Sequence, residues 1–181
     1  MAQMDLRSVL LEIHSALQQV SIAHALIGGL AQAAHGSRRA TTNLDLLADG
    51  DRADDVDRIL RGRGYECLRR TENVANYVAS TPERGRVDFL FAQRAYGRAM
   101  LERAALRTIL GAPIRVADAA DLIGLKVQSS SNDPSRRYLD LADIDRLLRS
   151  ATVDLARVRE YFRLFDREKE LDALLSGERG R

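Results

Sequence analysis

The sequence predicts an α+β fold in which a sheet-forming first part is followed by a helical second part. Short apolar segments with alternating polarity recur up to Val116, each bounded by glycine, proline or clustered polar residues. From Asp118 onward, apolar residues recur at helical spacing instead. We therefore expect an α/β core over residues 1–117 and a helical region over 118–181 that packs on it as one compact unit.

The elements of the first part follow from apolar spacing and from the turn residues between segments. A helix is expected wherever apolar residues recur every three or four positions, and a strand wherever short apolar runs lie between turns. The predicted elements are a helix at 5–20, a strand at 24–28, a helix at 29–35, a basic turn at 36–39, a strand at 43–48, a helix at 51–61, strands at 65–68, 75–79 and 86–91, a helix at 94–105 and a hairpin around 111–113.

The second part is predicted to contain three helices, at 118–131, 136–149 and 154–175, the last with a break near 166–168. The predicted chain therefore has a sheet-containing first part and a helical second part.

Composition limits the classes of function. The 181 residues include 28 basic and 26 acidic side chains, for a formal net charge of +2. This balance excludes a strongly basic protein that coats nucleic acid, but it leaves room for a local basic groove. The chain has no apolar run of about 18 residues, no signal-peptide pattern, and only one cysteine, Cys67. We expect a cytoplasmic protein that does not interact with a membrane.

Two oxygen-bearing side chains are expected on one face of the 43–48 strand. Strand alternation places Asn43 and Asp45 together and directs Leu44 to the opposite face. The pair Gly28-Gly29 follows a buried strand and would leave the backbone open to close approach by a phosphate, although such a pair is also ordinary turn chemistry.

Asp88 and Lys126 are further candidates. Asp88 lies between apolar Val87 and Phe89, where a carboxylate is costly to bury unless a cation or hydrogen bonds neutralise it. An isolated aspartate on a strand is more often simply solvated. Lys126 lies in an apolar helical segment, in a chain whose only other lysine is Lys169. It either reaches water from the helix edge or contacts an anion.

Three motifs occur in order over roughly residues 20–150: Gly28-Gly29 followed by Arg39–Asp45, then Ile114–Lys126, then Leu139–Ile144. They resemble the signature of the nucleotidyltransferase (polymerase-beta-like) superfamily and, within it, the AbiEii/AbiGii-type toxin-like family. The resemblance implies a nucleotidyltransferase-like mixed sheet flanked by helices and followed by a C-terminal helical bundle.

The resemblance also implies an activity, the metal-dependent transfer of a nucleoside monophosphate from an NTP to a hydroxyl acceptor. The acceptor would be RNA such as tRNA, a protein or a small molecule, and a toxin-like member would be paired with an antitoxin. Mg²⁺ or Mn²⁺ would be the cofactor. The implied site residues are Asp45, Asp88 and Lys126 in catalysis, Asn43, Asp45 and Asp88 at the metal, and Gly28, Gly29, Arg39, Thr41, Lys126, Asp140 and Asp143 at the nucleotide.

Asn43 departs from the family pattern, which has a carboxylate at this position. An amide oxygen can still coordinate a cation, but it is neutral. The substitution is compatible with a slow enzyme, with a lineage that has lost catalysis, or with an experimentally introduced change. The alternative function is a catalytically inactive module that binds a nucleotide, RNA or a protein. A helical interaction protein without a site would leave three ordered motifs unexplained.

Two further expectations concern cationic residues. Lys126→Ala is expected to weaken nucleotide binding with little effect on stability. The arginines of the helical part would either line an RNA groove or form solvated helix faces, and they are Arg136, Arg137, Arg157, Arg159 and Arg163.

Overall fold

The computed structural model describes residues 4–37 and 41–177. By the density of their contacts, the residues divide into two compact units. The first comprises residues 1–34 and 39–117, and the second comprises residues 35–38 and 118–181. Within the part of the chain that is described, no helix is long and apolar enough to cross a membrane.

The first unit contains a seven-stranded sheet and four α-helices. A short 3₁₀ turn, Gly50–Arg52, lies between the second strand and the third helix. The elements are α1 (Leu6–Gln19), β1 (His24–Leu26), α2 (Gly28–Ala34), β2 (Asn43–Asp49), α3 (Ala53–Gly62), β3 (Tyr65–Arg70), β4 (Val74–Ala79), β5 (Arg86–Ala92), α4 (Ala95–Arg103), β6 (Ala105–Ile109) and β7 (Ala112–Val116).

The strands are arranged in the order β3-β4-β5-β2-β1-β7-β6. Two neighbouring pairs, β2 with β5 and β1 with β7, run parallel, and the other pairs are antiparallel. The mixed sheet flanked by helices is the architecture expected from the sequence, so the predicted fold class is confirmed. β2 and β5 lie inside the sheet, where both edges of each strand are paired.

Local chemistry explains the elements that position the centre of the sheet. Asp5 caps the start of α1, because its carboxylate accepts a 3.1 Å hydrogen bond from the backbone N–H of Ser8. Along β2, the alternate residues Leu44 and Leu46 are fully buried, whereas Asn43 and Asp45 keep partial exposure. One face of this strand therefore joins the core, and the other presents polar side chains.

Two expected boundaries differ from the structure. The helix predicted over 94–105 ends at Arg103, because the chain turns there into β6, which starts earlier than the sequence indicates. The hairpin turn lies at Leu110 and Gly111, both with positive φ, so Ala112 and Pro113 already belong to β7.

The second unit consists of α5 (Ala119–Asn132), a 3₁₀ turn (Pro134–Arg136), α6 (Arg137–Ser150), α7 (Leu155–Arg163) and α8 (Glu168–Ser176). The expected break near 166–168 separates α7 from α8. Gly124 on α5 lets α7 approach closely, because a Cβ at this position would lie 2.6 Å from a ring carbon of Tyr161. That ring packs in the unit, and its hydroxyl donates a 2.8 Å hydrogen bond to the buried carboxylate of Asp121.

Candidate active site on strands β2 and β5

The register of three central strands brings the polar side chains together. Asp45 lies opposite Asp88 in the parallel pairing of β2 with β5. On the other side of β5, Asn76 lies opposite Asp88 in the antiparallel pairing with β4. Residues that are paired across neighbouring strands project from the same face of a sheet, so these side chains form one row.

Asn43 joins the two carboxylates through a single atom. Its Nδ2 donates a 2.9 Å hydrogen bond to Oδ1 of Asp45 and a 2.8 Å hydrogen bond to Oδ2 of Asp88. An amide nitrogen carries two hydrogens, and both are used here. The structure therefore brings Asn43, Asp45 and Asp88 together, and their role as metal ligands stays a prediction.

Two residues that the sequence analysis did not single out complete the surroundings of Asp88. Its Oδ1 accepts a 2.6 Å hydrogen bond from Nδ2 of Asn76 and a 2.8 Å hydrogen bond from Nε of Arg86. Arg86 thereby places a positive charge beside the carboxylate of Asp88, which lies opposite Asp45. The alternation along β4 contains a signal for Asn76, because Ala75 and Tyr77 on either side are fully buried and direct it to the polar face.

Gly28 and Gly29 pack directly against the polar row. A Cβ on Gly28 would lie 2.1 Å from Oδ2 of Asp45, and the residue has a φ of +65°. A Cβ on Gly29 would lie 2.7 Å from the Cβ of Thr41. Thr41 is itself oriented by a 3.0 Å hydrogen bond from its Oγ1 to the carbonyl of Asn43. The glycine pair is therefore required sterically, which ordinary turn chemistry would not demand.

The donor set fits a divalent cation if the Asn43 amide rotates. Across residues 4–37 and 41–177, no group of three His, Cys, Asp or Glu side chains could hold a metal. However, Asp45 and Asp88 already direct one oxygen each toward the same point, and a half-turn of the amide would replace the nitrogen of Asn43 by its oxygen. Two carboxylate oxygens and one amide oxygen, completed by waters, are acceptable to Mg²⁺.

The second unit contains the other predicted nucleotide-contacting residues, and they contact one another. Nζ of Lys126 lies 3.0 Å from Oδ1 of Asp140 and 2.8 Å from Oδ2 of Asp143. Both carboxylates are fully buried on α6, and the lysine side chain on α5 is 14% exposed. The ammonium therefore links two helices, and its role at a nucleotide stays a prediction.

The remaining basic candidates are Arg39 and the five arginines of the second unit. Arg39 lies outside the described residues. Each of the five arginines considered for an RNA groove has a carboxylate partner within the second unit, and the pairs are Arg136–Asp140, Arg137–Glu170, Arg157–Asp154, Arg159–Asp172 and Arg163–Glu168. The arginines of these pairs are between 25% and 63% exposed, which is typical of solvated helix faces.

Comparison with known proteins gives similarity in structure only, since no family model and no curated protein sequence matches the chain. The solution structure of the antibiotic-resistance factor ANT(2'')-Ia matches with a TM-score of 0.66 and 15% identity, covering 95% of this chain and 96% of that one. The lincomycin-bound lincosamide antibiotic adenylyltransferase LnuA matches with a TM-score of 0.59 and 14% identity, covering 84% and 100%.

An antigenic nucleotidyltransferase-like protein from Paracoccidioides brasiliensis matches with a TM-score of 0.57 and 15% identity, covering 97% of this chain and 95% of that one. At these identities the likeness concerns the fold, and the narrower resemblance to AbiEii/AbiGii-type toxins stays a prediction. The strand register, the glycine pair and these neighbours agree in one respect: the chain has the nucleotidyltransferase fold.

Proposed function

We propose that this protein transfers a nucleoside monophosphate from an NTP to a hydroxyl group of a small-molecule acceptor. The main support is the pairing of Asp45 with Asp88 across two strands. Both carboxylates accept a hydrogen bond from Nδ2 of Asn43, and Asp45 packs against Gly28. A small acceptor is favoured because the similar structures are matched over nearly their full length and include proteins bound to adenylyl-2''-tobramycin and to lincomycin.

The residues of the row have separable tasks in this proposal. Asp45 and Asp88 would hold Mg²⁺ or Mn²⁺, with the amide oxygen of Asn43 as a third, neutral ligand. When bound, the cation would offset the charge of the triphosphate and lower the pKa of the attacking hydroxyl. Arg86 and Asn76 orient the Asp88 carboxylate, because both donate a hydrogen bond to its Oδ1. The missing Cβ atoms of Gly28 and Gly29 leave room for the side chains of Asp45 and Thr41.

The second candidate function is a nucleotide-binding module without catalysis, and it rests on the same amide. Because Asn43 donates to both carboxylates, the row is hydrogen-bonded without a cation. A cation must then displace these two hydrogen bonds and receives two formal negative charges instead of three. Both effects weaken metal binding, and a displaced metal slows phosphoryl-type transfer steeply.

An RNA acceptor and an antitoxin partner receive less support. The arginines that could line a groove are paired with carboxylates within the second unit, as described above. RNA therefore enters the test as a separate acceptor and not as the main proposal.

The test is a transfer assay with NTPs labelled at the α-phosphate, in Mg²⁺ or Mn²⁺, with an aminoglycoside, a lincosamide, total RNA or cell lysate as acceptor. The protein, Asn43→Asp and Asp45→Asn are compared, with Asp51→Asn, an exposed residue outside the row, as matched control. Label on a small acceptor that Asp45→Asn abolishes supports the proposal.

Label found only on RNA or protein contradicts the small-acceptor proposal. No transfer by either the protein or Asn43→Asp contradicts the enzymatic proposal altogether. Saturable NTP binding by the same samples would then support the non-catalytic module.

A further inference from the structure

A second site is suggested by a cavity of about 300 Å³ in the first unit. α1 supplies His14 and Gln18 to its wall, β1 supplies His24, and β7 supplies Arg115. His24 pairs with Ala48, which lies toward the far end of β2 from Asn43. The cavity thus lies away from the polar row, and nothing in the proposed transfer reaction uses it.

The two imidazoles of the cavity form a directed chain of hydrogen bonds. Nδ1 of His24 lies 2.7 Å from the carbonyl of Ile22, and its Nε2 lies 2.8 Å from Nδ1 of His14. A carbonyl only accepts, so Nδ1 of His24 carries a hydrogen, and Nε2 of a neutral His24 accepts from His14. A neutral His14 therefore carries its single ring hydrogen on Nδ1.

The backbone carbonyls and the burial of the two rings shift the histidine pKa values in opposite directions. The backbone carbonyls of Ile22 and Pro113 favour protonated imidazoles. Burial is the larger effect and lowers the pKa of both His14 and His24, and for His24 the nearby charges of His14 and Arg115 lower the pKa further. A negative charge in the cavity would stabilise a protonated imidazole and would therefore act against the lowering of the pKa by burial.

Arg115 provides a permanent positive charge in the wall of the cavity. Its Nε and Nη2 donate to the carbonyl of Ala104 at 3.0 and 2.9 Å, and Nη2 also donates to the carbonyl of Glu102 at 3.0 Å. These neutral acceptors orient the guanidinium without cancelling its charge. Within the described chain, no carboxylate forms an ion pair with it, and none lines the cavity.

We propose that this cavity binds a small organic oxyanion, a carboxylate or a phosphate monoester. Arg115 and the protonated ring of His14 would contact the anionic group, since charge-assisted hydrogen bonds to oxyanions are the strong ones. Both ring nitrogens of His24 stay bonded to Ile22 and His14. Gln18 and Ser21 add polar atoms to the wall, and Leu106, which is 69% exposed, offers apolar surface for a carbon skeleton. A volume of about 300 Å³ holds more than an inorganic ion.

The test follows the histidine side chains by NMR in the unaltered protein. Phenyl phosphate, benzoate and neutral benzyl alcohol are titrated at about pH 6 and about pH 8, on either side of the ordinary histidine pKa. We expect saturable shifts of the His14 and His24 resonances with one or both anions, about tenfold tighter binding at the lower pH, and no such shifts with the alcohol.

Arg115→Gln should weaken anion binding about tenfold, as expected for the loss of a charge-assisted contact. The matched control is Arg107→Gln on neighbouring β6, which does not line the cavity and should bind as the unaltered protein does. Circular dichroism checks that both variants are folded. The two anions distinguish a phosphate ligand from a carboxylate ligand.

No saturable shift with either anion in the unaltered protein would overturn the proposal, as would equal affinities of Arg115→Gln and Arg107→Gln. Because the readout is the histidine pair and involves no NTP, failure here leaves the proposed transfer activity untouched.

Discussion

Asp45 and Asp88 occupy directly opposed positions in the parallel pairing of β2 with β5. Their separation is therefore set by the backbone hydrogen bonds of two strands inside a seven-stranded sheet, and a flexible loop has no part in it. Asn43, two residues before Asp45 on the same face, reaches both carboxylates with one nitrogen. The backbone pairing thus fixes the positions of Asp45 and Asp88, and the side chain of Asn43 links them.

Asn43→Asp should make the protein more dependent on a divalent cation. Without metal, the variant loses two hydrogen bonds and gains a third negative charge, so we expect a lower melting temperature and a loss of roughly 1–3 kcal/mol in the free energy of unfolding. With Mn²⁺, three carboxylates should bind at least about tenfold more tightly than two, which restores stability. Thermal unfolding in EDTA and over a Mn²⁺ titration measures both effects.

The same substitution tests whether Asn43 alone limits the proposed reaction. Transfer should rise by well over about tenfold in Asn43→Asp if the rest of the site is competent. Equal Mn²⁺ affinities in the two proteins would show that these three side chains do not share a cation.

Gly28→Ala should destabilise the first unit and disturb Asp45. The added Cβ would lie 2.1 Å from Oδ2 of Asp45, and the φ of +65° is unfavourable for alanine. We expect a loss of roughly 1–3 kcal/mol from the backbone conformation, increased by the steric clash. Urea unfolding measures the free energy, and nucleotide binding should weaken in parallel.

Gly62→Ala is the matched control for this glycine. Gly62 ends α3, and a Cβ there would meet nothing within 4 Å. Alanine should be neutral or stabilise the protein by up to about 1 kcal/mol, because it favours the helix. A Gly28→Ala protein as stable as Gly62→Ala would contradict the close approach to Asp45.

Lys126→Met should destabilise the helical unit strongly, which revises the small effect expected from sequence. The substitution removes the ammonium from two fully buried carboxylates, Asp140 and Asp143, which also pair with the half-exposed Arg136 and Arg146. Loss of the central partner of such a cluster costs roughly 3–5 kcal/mol. Urea unfolding followed by circular dichroism measures it.

Lys169→Met is the control, since it alters the other lysine of the chain at an exposed position on α8. It should change the free energy of unfolding by no more than about 0.5 kcal/mol. Similar stability of both variants would indicate that the Lys126 ammonium does not neutralise the two aspartates.

Mild acidification should destabilise the protein through His14 and His24. Burial lowers the pKa of both groups, so below about pH 6.5 the unfolded chain binds protons that the folded protein does not. The free energy of unfolding therefore falls as the pH drops, with a slope of up to about 1.4 kcal/mol per pH unit for each group.

Urea unfolding between about pH 7.5 and pH 5.5, without oxyanions in the buffer, gives this slope. The double variant His14→Gln, His24→Gln should flatten the profile. An unchanged slope in the double variant would contradict the assignment to this pair.

The sequence was informative where a pattern repeats along one element. Alternation in β2 predicted that Asn43 and Asp45 share a face, and apolar spacing predicted a sheet-forming part, a helical part and the break between α7 and α8. These features depend on local periodicity and on turn residues, both of which can be read from neighbouring positions.

Pairing between distant segments could not be obtained in this way. The approach of Asn76 and Arg86 to Asp88 depends on the register of three strands, and the Lys126 ion pairs depend on how α5 packs against α6. The donor role of the Asn43 amide depends on two carboxylates that lie 2 and 45 positions away. Side-chain chemistry alone indicated an oxygen ligand at this position, because an amide carries both an acceptor and a donor.

The dependence of the site on one amide has an evolutionary consequence. Asparagine and aspartate codons differ by a single base, and the opposed positions of Asp45 and Asp88 come from strand register, which this change does not alter. The gene therefore lies one point mutation from encoding a third carboxylate in an intact framework. Selection could cross that step in either direction without rebuilding the sheet, so close relatives with opposite residues at this position would not need to differ in fold.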